Sequence, residues 1–197
     1  MILLGFLASN NGSSLRAIVA AIQAGTLDAA ASLVVSNRKD APALAFAADH
    51  HIPARFIPTL KDPAAADAAL AHALQAAGVE IVVLSGYLRK LGPQTLAAYR
   101  GRILNVHPAL LPDFGGEGMY GRRVHDAVLA AGIAHTGATV HVVDEDYDHG
   151  PVVAQTLVPV EPGDTAETIE RRVLAAEPGL FIDTLRRIAA GELKLPS

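Results

Sequence analysis

Cysteine and tryptophan are both absent from the 197 residues, and aromatic residues make up only 5% of them. Without cysteine there is no disulfide scaffold, no thiolate zinc site and no thiol nucleophile. Long hydrophobic runs are missing as well. The apolar start Met1-Ile2-Leu3-Leu4-Gly5-Phe6-Leu7 has no basic residues ahead of it and breaks at Ala8-Ser9-Asn10-Asn11-Gly12, too short for a signal peptide or a membrane span. Nor does one sign of charge dominate: 16 Lys+Arg stand against 20 Asp+Glu, a formal net charge of -4. That balance argues against a duplex nucleic-acid binder, which needs cations to neutralise phosphates. A small anion is not excluded, because a few local donors can hold one inside an acidic protein. The expectation is a soluble cytoplasmic chain with neither nucleic acid nor membrane as partner.

What is present is apolar bulk. The hydrophobic share is 51% and the charged share 18%, which excludes intrinsic disorder. The length suits one domain spanning residues 1–197, burying roughly 70% of its unfolded surface. Apolar runs predict strands at Ile2–Leu7, Ser32–Val35, Ala54–Ile57, Ile81–Leu84 and Ile103–Val106. Helical spacing predicts helices at Ser13–Ala24, Ala41–His50 and Asp62–Ala77, the last with Pro63 in its first turn and Gly78 past its end. Such alternation implies a doubly wound, mostly parallel α/β sheet. Past Gly132 the texture changes. Thr139–Val143 and Val152–Val160 read as longer antiparallel neighbours, an extension near the C-terminus, and Asp164–Ala190 as a closing helix with a bend at Pro178-Gly179.

Ligands of such sheets sit at the carboxyl ends of the strands. Three polar clusters follow predicted strands: Ser9–Ser14, Gly86–Lys90 and Asn105–Pro112. The first runs from a strand into a helix, so its N–H groups and Ser hydroxyls suit a phosphate, or simply cap the helix. It lacks the glycine spacing of a dinucleotide fingerprint and the lysine of a P-loop. In the third, alternation puts Asn105 and His107 on the same side of their strand. An amide that donates to an oxyanion and an imidazole that moves a proton could then share one substrate atom, or the pair could merely cap a Pro-rich turn. The acidic stretch Asp144–Pro151 reads as a solvated, hairpin-like loop, with metal binding as the lesser alternative. His125 and His141 read as structural or surface residues, and His50 and His51 as residues of a helix end.

Taken in order, Asn10-Asn11-Gly12-Ser13-Ser14-Leu15, Ser85-Gly86-Tyr87-Leu88-Arg89, Leu104-Asn105-Val106-His107-Pro108-Ala109-Leu110-Leu111-Pro112 and Tyr147-Asp148-His149-Gly150-Pro151 resemble the phosphoribosylglycinamide formyltransferases, folate-dependent enzymes of purine synthesis. The resemblance covers essentially the whole chain. It implies a Rossmann-like formyltransferase fold and a transfer of the formyl group of 10-formyltetrahydrofolate, the cosubstrate, to the amine of glycinamide ribonucleotide, without a metal. It implies Asn105, His107 and Asp148 as catalytic residues. Asn11, Gly12, Ser13 and Ser14 would bind the ribonucleotide phosphate and Glu177 its ribose. Leu88, Arg89, Lys90, Leu91, Leu96, Leu104, Asn105, Val143 and Asp144 would form the folate site, and the chain would act as a monomer or homodimer. Two departures stand out. Some members place an Arg near the start of the Asp62–Ala77 helix, where this chain has only Lys61, and Asp113–Gly121 resembles a longer subtype of its loop.

Rival readings remain at this point. A methionyl-tRNA formyltransferase would add a basic C-terminal domain, and a formyltetrahydrofolate hydrolase an N-terminal regulatory one; neither is expected here. A non-catalytic phosphate-binding or nucleotide-binding α/β module would explain Ser9–Ser14 but leave Asn105, His107 and Asp148 without a role.

Overall fold

The computed structural model describes residues 1–196. Among them are strands β1 (Ile2–Leu7), β2 (Ala29–Ser36), β3 (Ala54–Phe56), β4 (Ile81–Leu84), β5 (Ile103–His107), β6 (His135–Val142) and β7 (Val152–Pro159). They form one seven-stranded sheet in the order β3-β2-β1-β4-β5-β6-β7. Pairing is parallel from β3 through β5 and antiparallel from β5 to β7. From β1 the chain builds outward first to β2 and then, on the other side, to β4. The gap between β1 and β4 is therefore the topological switch point, where ligands of doubly wound sheets enter.

Helices α1 (Ser13–Gln23), α2 (Pro42–Asp49), α3 (Pro63–Ala76), α4 (Pro93–Ala98), α5 (Arg122–Ala131) and α6 (Ala166–Ala189) cover the faces. Their ends carry the expected chemistry. The Asp62 side chain caps α3 by accepting from Ala65 N at 2.9 Å, and Thr165 with Thr168 forms a capping box at the start of α6. α6 runs through Pro178 without interruption, with Arg186 and Arg187 in its last turn, where cations complement the helix dipole.

Strand alternation sorts the core into two sides. Leu4, Phe6, Val83, Leu104 and Val140 pack with Leu15 and Ile18 of α1 and Phe181 of α6. Leu7, Val35, Val82 and Ile103 pack on the other side with Leu70 and Leu74 of α3 and with Leu91. A third cluster joins Val128 of α5 to Ala138, Val158, Ile169 and Val173.

The parallel sheet, its antiparallel extension and the long closing helix match the sequence reading. Differences have physical causes. β2 starts at Ala29 rather than Ser32, because Ala29-Ala30-Ala31 has no β-branched residue to mark a strand. α4 and α5 were not foreseen. The first spans six residues, too few to display a helical period, and in the second only Val124, His125 and Val128 are buried.

Candidate active site

Three loops meet at the carboxyl ends of β1, β4 and β5. Ser9 ties the first two together: its N–H donates to the Gly86 carbonyl (3.1 Å), and its Oγ accepts from Leu88 N (2.8 Å) while donating to Asn37 Oδ1 (2.6 Å). Ser85 Oγ accepts from Leu15 N, in the first turn of α1, at 2.9 Å. Leu15 therefore already has its partner. Ser13 and Ser14, ahead of it, have helical N–H groups with no intrahelical acceptor.

Gly12 sits at the N-cap of α1 with φ +68°, in the left-handed region that favours glycine, and no side chain caps the helix. The flanking chain is held from outside. Arg16 lies over the Phe46 ring and donates through Nε to the Asn11 carbonyl (3.0 Å), while Arg38 Nη1 donates to Asn10 Oδ1 (2.8 Å). Asn11 and Ser13 are exposed, whereas Gly12 and Ser14 are buried. Open N–H groups at a helix start, beside two guanidinium groups, suit an anion.

The second cluster grows from the register of β5 and β6. Asn105 lies directly opposite His141, and His107 opposite Thr139. Thr139 Oγ1 donates to the Ala109 carbonyl (2.6 Å) and accepts from Leu111 N (3.0 Å) and Gln155 Nε2 (2.9 Å), fixing the turn after His107. His107 is buried, with Nδ1 3.4 Å from Asp148 Oδ2 and Nε2 2.8 Å from the Phe114 carbonyl. Both ring nitrogens thus face acceptors, and the doubly protonated imidazolium satisfies both.

Asp148 has φ +58°, a conformation in which aspartate and asparagine are enriched. Its Oδ2 also accepts from Gly116 N (3.2 Å), and its Oδ1 lies 3.4 Å from His141 Nε2. Burial pushes the Asp148 carboxyl up, but the contact with His107, the Gly116 N–H and His141 outweigh burial and hold it below the usual carboxylate range.

His141, expected to be structural or at the surface, is buried at 2% exposure and belongs to the cluster. Nε2 lies 3.2 Å from Asn105 Nδ2, and Nδ1 lies 3.1 Å from the Val142 carbonyl. Burial lowers its pKa below the ordinary histidine value, with Asp148 pulling the other way, so the ring is neutral near pH 7. His125 is buried too, and its Nδ1 has no partner among the described residues. Only the β5–β6 register could have signalled His141, and one sequence does not supply it.

Glu177 reaches in from α6. Its carboxyl is 8% exposed and burial raises its pKa to about 7, with the charge of His107 opposing the rise. No hydrogen bond from the described residues offsets that burial, so the group is costly where it stands.

The residues expected to bind folate divide. Leu96, Val143 and Asp144 border a cavity of about 470 Å³, and Arg89, Lys90 and Leu91 border another of about 310 Å³ beside α3. Leu88 is exposed with its N–H held by Ser9. Leu104 needs correction. Its side chain packs with Leu4 and Phe6 on the opposite side of the sheet. Ile103, one residue earlier, shares the cluster of Leu91, Leu96 and Val143. The alternation that unites Asn105 with His107 puts residue 103, and not 104, on their side. Asp67 was also missed. Buried beneath α4, it accepts from Gln94 N (2.8 Å) and from Thr95 N (3.0 Å) and Oγ1 (2.6 Å).

Among the described residues no group of three or more His, Asp or Glu is arranged to hold a metal ion, and no helix is long and apolar enough to cross a membrane. An open α/β sheet with an uncapped helix start at its switch point and an Asn-His-Asp cluster at the end of an inner strand has a counterpart among known proteins. The formyl transferase family model matches residues 4–185, and the chain belongs to that family. Within it, the phosphoribosylglycinamide formyltransferase of Bacillus subtilis is 37% identical over 183 residues, covering 92% of this chain and 91% of that protein. The chloroplastic phosphoribosylglycinamide formyltransferase of Arabidopsis thaliana is 38% identical over 94% of this chain, which spans 65% of that relative's length. The crystal structure of glycinamide ribonucleotide transformylase 1 from Symbiobacterium toebii superposes with a TM-score of 0.89 at 37% identity, over 100% of this chain and 92% of that one.

Proposed function

We propose that this chain transfers the formyl group of 10-formyltetrahydrofolate to the primary amine of glycinamide ribonucleotide. The observation that carries the proposal is the convergence of His107, in ion-pair reach of Asp148, and Asn105, joined to Asp148 through His141, at the same sheet edge as the open start of α1. The names borne by relatives that align over most of this chain support the same reading.

The chemistry follows from the groups present. The amine attacks the formyl carbon, forming a tetrahedral intermediate whose oxyanion needs prearranged donors. Asn105 offers an amide N–H, and His107 an imidazolium N–H and its charge. In the structure the Phe114 carbonyl takes the Nε2–H of His107. For that N–H to reach the formyl oxygen, substrate binding would exchange one acceptor for the other. Asp148 keeps its negative charge beside the imidazolium and can hold a water on the route from the amine to N10 of the folate. The new C–N bond forms, the old C–N10 bond breaks, and the proton lost by the amine ends on N10.

Gly12, Ser13 and Ser14, with Asn11, would hold the phosphate, and Glu177 the ribose. The segment Leu88–Leu91, with Leu96, Val143 and Asp144, would flank the folate. Ile103 takes the lining role expected of Leu104. A single formyltransferase domain, free in the cytoplasm as a monomer or homodimer, completes the proposal; its expected end at Ser197 lies outside the described residues.

The test supplies both substrates and follows tetrahydrofolate release together with the formylated product. Stoichiometric appearance of both supports transfer. Release of the formyl group as formate, with tetrahydrofolate, in the absence of the ribonucleotide would mean a hydrolase, and no product from either condition would overturn the proposal.

A further inference from the structure

The pairing of β5 with β6 puts one more imidazole in contact with two residues of the proposed chemistry at once. His141 is directly across the strands from Asn105, at a separation that brings the two side chains on one face into contact. Its Nε2 lies 3.2 Å from Asn105 Nδ2 and 3.4 Å from Asp148 Oδ1. Its Nδ1 lies 3.1 Å from the Val142 carbonyl. A carbonyl only accepts, so Nδ1 is the protonated nitrogen of the neutral ring. Nε2 is then a lone pair, and the group that meets it is an N–H of the Asn105 amide.

We infer that His141 is a positioning residue: its neutral ring anchors one N–H of the Asn105 amide and thereby aims the other N–H at the reacting formyl oxygen. An unanchored asparagine can rotate its amide and present Oδ1 instead, an acceptor facing an oxyanion. Anchoring removes that wrong orientation before the reaction starts, which is how prearranged donors gain their effect.

The same contact fails in acid. Protonation puts a hydrogen on Nε2, which can no longer accept from Asn105 and donates to Asp148 Oδ1 instead. Asn105 loses its anchor, and Asp148 is drawn from His107. The groups facing the ring are Asp148 and Asp144 on the loop between β6 and β7, and His107 on β5. Burial keeps the ring neutral near pH 7, so the loss belongs to the acid side of the profile.

One arm of the test needs no substrate. In nitrogen-15 NMR spectra of the full chain at pH 7.5, the His141 ring, assigned by its loss in His141→Gln, should show Nδ1 protonated and Nε2 bare. The Asn105 amide, assigned by its loss in Asn105→Asp, should shift as His141 titrates. A protonated Nε2, or an Asn105 signal indifferent to that titration, overturns the inference whatever the activity.

The second arm rests on the formyl-transfer reading and uses glycinamide ribonucleotide with 10-formyltetrahydrofolate. His141→Phe should lower kcat by about tenfold to a hundredfold, the cost of a misplaced group, with both KM values within about threefold. His141→Gln, whose Oε1 accepts but does not titrate, should recover part of that loss and shed the acid limb ascribed to His141. An unchanged kcat in His141→Phe, or a wild-type acid limb in His141→Gln, overturns the inference. If the wild-type chain transfers no formyl group, the formyl-transfer reading falls, and the NMR arm decides the role of His141 by itself.

Discussion

The loop after β1, proposed to hold an anion, and the Asn-His-Asp cluster after β5 occupy the same edge of the sheet, but the chain builds them differently. The loop is local: Asn11, Gly12, Ser13 and Ser14 are consecutive, and one backbone conformation at Gly12 opens the start of α1. The cluster is assembled. His107 meets Asp148 only because β5 pairs with β6 and the chain then turns back over the strand ends, and Gly116 and Phe114 close it from a third segment. Binding a charged end group takes a few donors that neighbouring residues can supply. Stabilising a transient oxyanion takes donors at fixed positions around one atom, and rigid strands hold these better than a single loop.

Asp148 offers the sharpest way to break this comparison. Asp148→Asn keeps the shape, and asparagine accepts φ +58° as readily as aspartate, so folding should survive. Loss of the charge beside His107 should cut kcat by about 10² to 10³, or roughly 2.7–4 kcal/mol, while Asp146→Asn, on the exposed part of the same loop, stays within about threefold. Steady-state kinetics on both variants decides. Near-normal turnover in Asp148→Asn would mean that the assembled cluster is scaffolding.

The local loop should respond in KM instead. At Gly12 a Cβ would stand 3.2 Å from Leu15 Cδ2 and 3.4 Å from Ala43 Cβ, at a φ that β-branched residues rarely adopt. Gly12→Val should therefore raise KM for the ribonucleotide by about tenfold or more, the cost of losing charge-assisted N–H contacts to phosphate, with KM for the folate little changed. Equal rises in both would make the loop a structural element, and the contrast between the two regions would collapse.

Legibility followed the same division. Residues whose roles depend on their immediate neighbours could be read from the sequence: the strand-loop-helix at Ser9–Ser14, the start of α3 at Pro63, and the shared side of Asn105 and His107. Residues whose roles depend on register could not. His141 has no local mark that separates it from a buried strand histidine, and its pairing with Asn105 is set by hydrogen bonds between strands 36 residues apart in sequence. Leu104 is a different failure. Alternation along β5 assigns it to the far side of the sheet, with Leu4 and Phe6, away from Asn105 and His107. Asp67 was hidden because the helix it caps spans only six residues.

A third region tests whether the folate wall is local or assembled. Asp67 on α3 caps the start of α4 through three accepted hydrogen bonds, and a Cβ on Gly92 would stand 2.3 Å from its carboxyl carbon. Asp67→Ala should cost about 2 kcal/mol, at the upper end for a lost cap because the N–H groups are partly buried. The loss should register as a lower denaturation midpoint, and KM for the folate should rise with it if residues 88–96 form the wall. A stability loss with folate KM unchanged would detach α4 from the site.

The smallest effect expected is at Glu177, and there stability and function should move in opposite directions. Its pKa in the folded chain is about 7 against an ordinary value of 4.5, because the carboxyl is buried and the opposing charge of His107 does not offset that burial. A raised folded pKa means that the folded state holds its proton more tightly than the unfolded one. The associated stability is present below pH 4.5 and is lost as pH rises through about 7, by up to about 3 kcal/mol. Glu177→Gln removes the ionisation but leaves an amide in the same buried position, so only part of that amount returns. A gain of about 1 kcal/mol at pH 8 corresponds to a Tm higher by about 2–4 °C in a chain of this size, and the difference should vanish near pH 4.5. If Glu177 receives the ribose hydroxyls, the same variant should raise KM for the ribonucleotide. A buried charge retained at the expense of stability is then explained by the ligand it serves. Thermal melts at the two pH values, beside the KM measurement, separate the cases. A variant that is more stable at pH 8 with an unchanged KM would leave the buried carboxyl without a function at this site, and one that is less stable at pH 8 would show that burial is not what the carboxyl is paying against.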